Sequence, residues 1–162
     1  MYKASQQVKN RNMRYLKLFV LFLFGGYVYG GFEVIFKQGD THISMFLLGG
    51  LCFLLLGAMN PRLSLLTRMA AGAAVITALE LAVGIIVNHW LTLNVWDYSH
   101  MPFNFMGQIC LLFTAFWFFL SLAGILLDGW LKHRLFGAEK PRYRIAPAPK
   151  LPQLLPKKKK TA

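Results

Sequence analysis

Glu80 is the first residue of this sequence that could do chemistry, because it is the only charged side chain between Met69 and Asn88. At the centre of a bilayer an acidic side chain costs on the order of 2.5–3.5 kcal/mol on insertion scales unless it is protonated or paired. It therefore needs a partner, and it could hold a substrate, an ion or a proton. Ala73, Thr77, Glu80, Gly84 and Asn88 step by three or four, so they form one small and polar stripe expected to face other helices. The plainer reading of that stripe is a packing seam with a hydrogen-bonded glutamate. A second acid, Glu33, shares a face with Gly26, Gly30 and Lys37, and Gly26-x-x-x-Gly30 would let two backbones approach. If Glu33 and Glu80 met, the two carboxylates would share a proton.

The next group with chemical capacity runs from His89 to Asn104, where Trp90, Trp96, Asp97, Tyr98, Ser99 and His100 occur without one Lys or Arg. Trp90, Trp96 and Tyr98 suit anchoring at a membrane interface. Asp97, Tyr98, Ser99 and Asn104 suit a hydrogen-bonding lid over a bundle. Asn104 and Gln108 are expected one turn apart on a fourth helix, along which Gly107, Thr114, Ser121 and Asp128 recur every seven residues. Such a heptad strip favours left-handed packing. On this reading Glu80, Asn88, Asn104 and Gln108 converge in the outer half of one bundle, and Asp128 forms an ion pair among Lys132 and Arg134.

His42, His89 and His100 fall on the same side as Asp97, but their spacing matches no standard metal motif. Cys52 and Cys110 lie inside apolar segments and read as small buried hydrophobes. The sequence contains no G-x-x-x-x-G-K-[ST], H-E-x-x-H or G-x-S-x-G. No metal, cofactor or catalytic residue is therefore assigned.

The elements that position these residues follow from composition. Of 162 residues, 56% are hydrophobic and 15% charged, and the apolar residues are pooled into runs instead of alternating as in a soluble core. Four segments emerge, Tyr15–Phe36, Ile43–Met59, Met69–Asn88 and Phe105–Leu127, each near the roughly 20 residues that span a bilayer as a helix. The first has too long an apolar core for a removable signal, and no small-x-small site follows it.

The formal net charge is +12. Five basic residues precede or open the first segment, two lie between the second and third, and ten follow the fourth, against Lys37 alone in the first loop and none in the third. The positive-inside rule then predicts an all-α, four-transmembrane-helix bundle with both termini in the cytoplasm. Residues 1–14 are a basic cytoplasmic segment, 15–130 the membrane domain and 131–162 a basic, Pro-rich tail expected to be extended or disordered. The basic residues flank the spans, so the expected partners are the bilayer and its anionic lipids rather than nucleic acid.

Glu80-Leu81-Ala82-Val83-Gly84, then Asn88, Trp96-Asp97-Tyr98-Ser99, Pro102-Phe103-Asn104 and Gly107-Gln108-Ile109-Cys110-Leu111 resemble the bacterial family named Putative ABC-transporter type IV, or CmpB-like. They are similar too to the eukaryotic transmembrane protein 229 group. Gly30-Gly31-Phe32-Glu33 resembles the family's first-helix motif. The resemblance covers about Gly25 to Leu127 and marks Glu33, Glu80, Asn88, Trp96, Asp97, Tyr98, Ser99, Asn104, Gly107 and Gln108.

The family name implies a permease component of the bacterial cytoplasmic membrane, working with a separate ATPase. Four short helices leave little room for a complete pathway, so a second copy or another membrane subunit is expected. Two other readings stand beside this one. One is a non-catalytic assembly or sensor subunit; the other is a lipid-processing enzyme with Glu80 or Asp97 as acid or base, assisted by Tyr98, Ser99 or His100.

Overall fold

The computed structural model describes residues 2–36 and 41–146. Four α-helices carry the fold: α1 (Tyr2–Phe36), α2 (Ile43–Ala58), α3 (Leu65–Gly84) and α4 (Leu111–Phe136). Three stretches, Asn10–Ile35, Leu65–Trp90 and Leu111–Phe136, are long and apolar enough to cross a membrane. At 16 residues α2 matches the Ile43–Met59 segment to within one residue and rises about 24 Å. The bundle wears its large apolar side chains outside: Phe19, Tyr27, Ile35, Leu112, Phe119 and Trp130 are each more than half exposed. In lipid such a surface needs no covering.

Side-chain caps set two helix starts. Ser64 accepts from the Thr67 N–H at 3.2 Å to open α3, and His42 Nδ1 accepts from the Ser44 N–H at 3.2 Å to open α2. The end of α3 widens into a π-helical turn, Ile85–Trp90, a local unwinding common at functional places. The α4 helix closes on Gly137 at φ +63°, and the Ala138 N–H reaches back to the Lys132 carbonyl at 3.1 Å, as in left-handed helix caps.

Two seams join the helices. Along the first, α1 and α2 approach through Gly25, Gly26, Gly49 and Gly50. A methyl group at Gly25 would strike the Phe53 side chain, and one at Gly50 would meet the Phe22 carbonyl at 2.7 Å. Gly30, the second residue of the expected Gly-x-x-x-Gly contact, has nothing within 4 Å of where its Cβ would be. The glycine pairs, not that spacing, make the contact. Along the second seam, α3 and α4 meet around buried Met69, Ala73, Ile76, Trp117 and Ile125.

Two expectations are corrected. The fourth helix begins at Leu111 rather than Phe105, because Asn104–Phe105 and Ile109–Cys110 pair as a short antiparallel ladder. Met106 and Gly107 adopt φ of +54° and +67°, which breaks any helix there. Asn104 and Gln108 are thus not one turn apart on a helix, and the heptad strip survives only as Thr114, Ser121 and Asp128.

The other correction concerns the tail. Helix α4 continues past Lys132 to Phe136, and the following residues fold back onto α3. The Leu65 and Leu66 N–H groups donate to the Arg144 and Ile145 carbonyls at 2.7 and 3.3 Å. The N-terminal basic segment is likewise helical from Tyr2, continuous with the first span. Lys37, Lys150 and Lys157 to Lys160 lie outside the described residues.

The Gly49→Leu variant should force α1 from α2 and lower stability by about 1–3 kcal/mol, whereas Gly31→Leu, with open space around it, should be near neutral. Thermal unfolding of both variants in detergent checks this.

Candidate functional site

The polar stripe of α3 faces α4 and the loop before it. Thr77 Oγ1 donates to Thr114 Oγ1 at 3.2 Å. One turn on, Trp117 Nε1 donates to Glu80 Oε2 at 2.6 Å. At 2.6 Å the bond to the indole N–H is short, so this oxygen is firmly held. Glu80 is 2% exposed; its Oε1 makes no hydrogen bond of good geometry, and the Tyr98 side chain approaches the carboxyl as a further donor. Glu33 and Tyr98 both lie within electrostatic range of this carboxyl, so the first-helix acid and the third-helix acid share one neighbourhood.

Above Glu80 a cap seals the bundle. Asn88, on the π turn, donates Nδ2 to Gln108 Oε1 at 2.7 Å and to the Trp96 carbonyl at 3.0 Å. Its Oδ1 accepts from the Val95 N–H at 2.7 Å. Trp96 Nε1 donates to the Gln108 carbonyl at 3.0 Å. Gly84 admits Gln108 and Trp96 so closely that a Cβ there would collide with both. The polar residues of this layer therefore satisfy one another.

Asp97, Ser99 and Asn104 build the turn that holds the cap. Asp97 Oδ1 accepts from the Ser99 N–H at 2.8 Å and from the Ser99 hydroxyl. Asn104 Nδ2 donates to the Ser99 and Met101 carbonyls at 3.1 and 2.8 Å, and its Oδ1 accepts from the Gly107 N–H at 3.2 Å. A Cβ on Gly107 would meet Ser99 Oγ and Asp97 Oδ1 at 2.6 and 2.7 Å, so this position needs glycine for its room and its positive φ together.

Tyr98 links cap and centre. Its ring stacks on Phe113 with centroids 4.6 Å apart. Burial pushes its phenol well above the ordinary range, and the Glu80 charge adds to this, so it remains a protonated donor.

Glu80 also borders a cavity of about 260 Å³ between α1, α2, α3 and α4. Its wall is almost wholly apolar, and it opens between α1 and α4, where Val28, Phe32, Ala123 and Leu127 are exposed. Tyr29 against Trp117, with ring centroids 6.1 Å apart, bounds one end. Leu21 clusters with Leu131 beyond the other, beside Lys17 over the Phe136 ring.

Sequence reasoning missed Tyr29 and Trp117. Trp117 stands three residues after Thr114 and four before Ser121, so the face of the heptad strip already carried its signal. At the tail end Asp128 pairs with Lys132 Nζ at 2.8 Å, as expected. Lys132 also donates to the Gly57 carbonyl at 2.8 Å. Among the described residues, no three of His, Cys, Asp and Glu cluster in a way that would hold a metal.

The model of one family, Putative ABC-transporter type IV, matches residues 17–138. No curated protein and no solved structure matches the chain.

The Ser99 bonds hold the Asp97 carboxyl below the usual carboxylate range. The support it gives the turn is therefore complete above the free-carboxylate value of about 3.9 and fades as pH falls through the lower folded value. In detergent NMR the Ser99 amide should stay protected from exchange into that acid range, and Asp97→Ala should remove the protection at every pH.

Proposed function

Starting from a chain that belongs to the Putative ABC-transporter type IV family, we propose that it works as the membrane-embedded component of a transport system, with Glu80 as its intramembrane acidic centre. All four helices cross the bilayer, with both termini in the cytoplasm and the 91–110 cap outside. The observation that carries this reading is the cavity ending on Glu80. A carboxyl kept solely as a helix lock gains nothing from an adjoining void, because voids forfeit packing. Energy input would come from a separate ATPase, and a second copy or another membrane subunit would complete the pathway. The basic tail would rest on anionic headgroups of the cytoplasmic leaflet.

One observation favours a second reading, an assembly subunit. The 2.6 Å bond from Trp117 to Glu80 ties α3 to α4 and would serve a purely structural role equally well. The lipid-enzyme reading has less support, since Asp97 and Ser99 are committed to a turn and Asn104 to backbone carbonyls.

Two experiments test the proposal. A reporter fused after Ala162 should report cytoplasm, and a cysteine introduced at Asn94 should label from outside; labelling of Asn94 from the cytoplasmic face would overturn the four-span arrangement. Glu80→Gln keeps the shape and an acceptor for Trp117. That variant should therefore match the parent in detergent yield and melting temperature while failing to complement a deletion strain. Full complementation by Glu80→Gln would remove the acidic-centre reading. Loss of folded protein in Glu80→Leu alone, with Glu80→Gln active, would favour the structural one.

A further inference from the structure

We infer that the cavity beside Glu80 takes a lipophilic cation, a small organic ammonium, which enters sideways between α1 and α4 and rests its charged head on the carboxyl. The inference builds on the reading of this cavity as the ligand chamber of a transport component.

Four features select that chemical class. The cavity wall is apolar and its rim, at Val28, Ala123 and Leu127, is exposed on the surface that faces lipid. A ligand concentrated in the membrane meets this opening without passing through water, and a strongly hydrated ion does not.

The lining contains no Lys, Arg or His, and Glu80 is its acid, with Glu33 in electrostatic range. An anionic ligand would therefore face repulsion with no cationic side chain to offset it, whereas a cation would find the opposite charge in a medium of low dielectric.

Glu80 is at least nine-tenths buried, and while Oε2 is occupied by Trp117, Oε1 makes no hydrogen bond of good geometry, the Tyr98 side chain approaching the carboxyl as a further donor. A cationic head would be a stronger partner than the Tyr98 phenol for a group that is costly to leave poorly satisfied. Finally, Tyr29, Phe32, Phe53 and Trp117 contribute rings to the same wall, and ring faces attract ammonium groups most strongly where water is excluded. A neutral hydrocarbon would fill the void but would have no use for the acid.

The test uses the full chain in nanodiscs of zwitterionic lipid, titrated by calorimetry with hexyltrimethylammonium, 1-hexanol and hexanesulfonate against empty discs. The ammonium should bind saturably and about tenfold or more tighter than the alcohol, and the sulfonate should not bind. Glu80→Gln should weaken ammonium binding by about tenfold or more. Because a change at Glu80 could disturb the α3–α4 contact, Ala123→Phe provides a second variant. It fills the rim while leaving Glu80 and Trp117 in place, and it should weaken binding comparably.

Equal binding of ammonium and alcohol, or unchanged ammonium binding in a folded Glu80→Gln, would overturn the inference. The two readings fail separately. Ammonium binding that is lost in Glu80→Gln while complementation persists supports the ligand class and counts against transport. No ammonium binding by the parent, with complementation still dependent on Glu80, overturns the ligand class alone.

Discussion

A carboxyl in the middle of an apolar helix must find its hydrogen bond within the protein, and the arrangement of this bundle follows from how Glu80 finds one. The donor comes from a different helix, so α3 and α4 must lie close enough for an indole to reach across. Small or hydroxylated residues on both sides of the bond allow it. Gly72 admits Ser121 toward the tail end, Thr77 meets Thr114 on the next turn, and Gly84 admits Gln108 at the cap. Each would be a hole or a lone polar group in isolation, but together they form one continuous contact line centred on the carboxyl.

That line fixes what the other two helices can do. With α3 and α4 drawn together, α1 packs chiefly along α2 through paired glycines and touches α4 at the ends of a gap. The cavity is this gap. Its apolar wall belongs to helices whose backbones are satisfied internally, and the polar cap is closed above it by Asn88, Gln108 and Trp96. Polar and apolar chemistry are thus separated along the bundle axis, with Glu80 at the boundary.

The all-helical, membrane-like character was legible in the sequence because it rests on long-range sums: pooled apolar runs and one acid among hydrophobes. The α3 stripe was legible for the same reason, since a 3.6-residue period repeats over five positions, of which Thr77, Glu80, Gly84 and Asn88 face α4 or the cap and Ala73 is buried in the core. Extrapolation of that period through Asn104 and Gln108 failed where local bonds outweighed it. Asn104 captures the Gly107 N–H, and side chain to backbone bonds of this kind compete directly with helix formation. The partner of Glu80 was hidden differently. An aromatic residue in an apolar helix looks like lipid-facing bulk until the facing helix is known, and the seven-residue strip beside Trp117 was the only hint. Of Gly26-x-x-x-Gly30 only Gly26 lies in the α1–α2 contact, because that spacing marks a helix face, whereas adjacent glycines on both helices decide where two backbones meet.

The return of residues 138–146 onto α3 has a mechanical meaning. Arg144 and Ile145 supply the acceptors for the first free N–H groups of α3, which a helix end must otherwise leave to water. Tyr143 reaches the Ile125 carbonyl of α4 at 3.4 Å, so one short strap grips both helices that carry the Glu80–Trp117 bond. From Leu65 to Glu80 the helix rises about 22 Å. A stiff rod of that length, held at its base by the strap and topped by the π turn that carries Asn88, is a lever, and whatever takes hold of the strap has its hand on the helix that carries the buried acid.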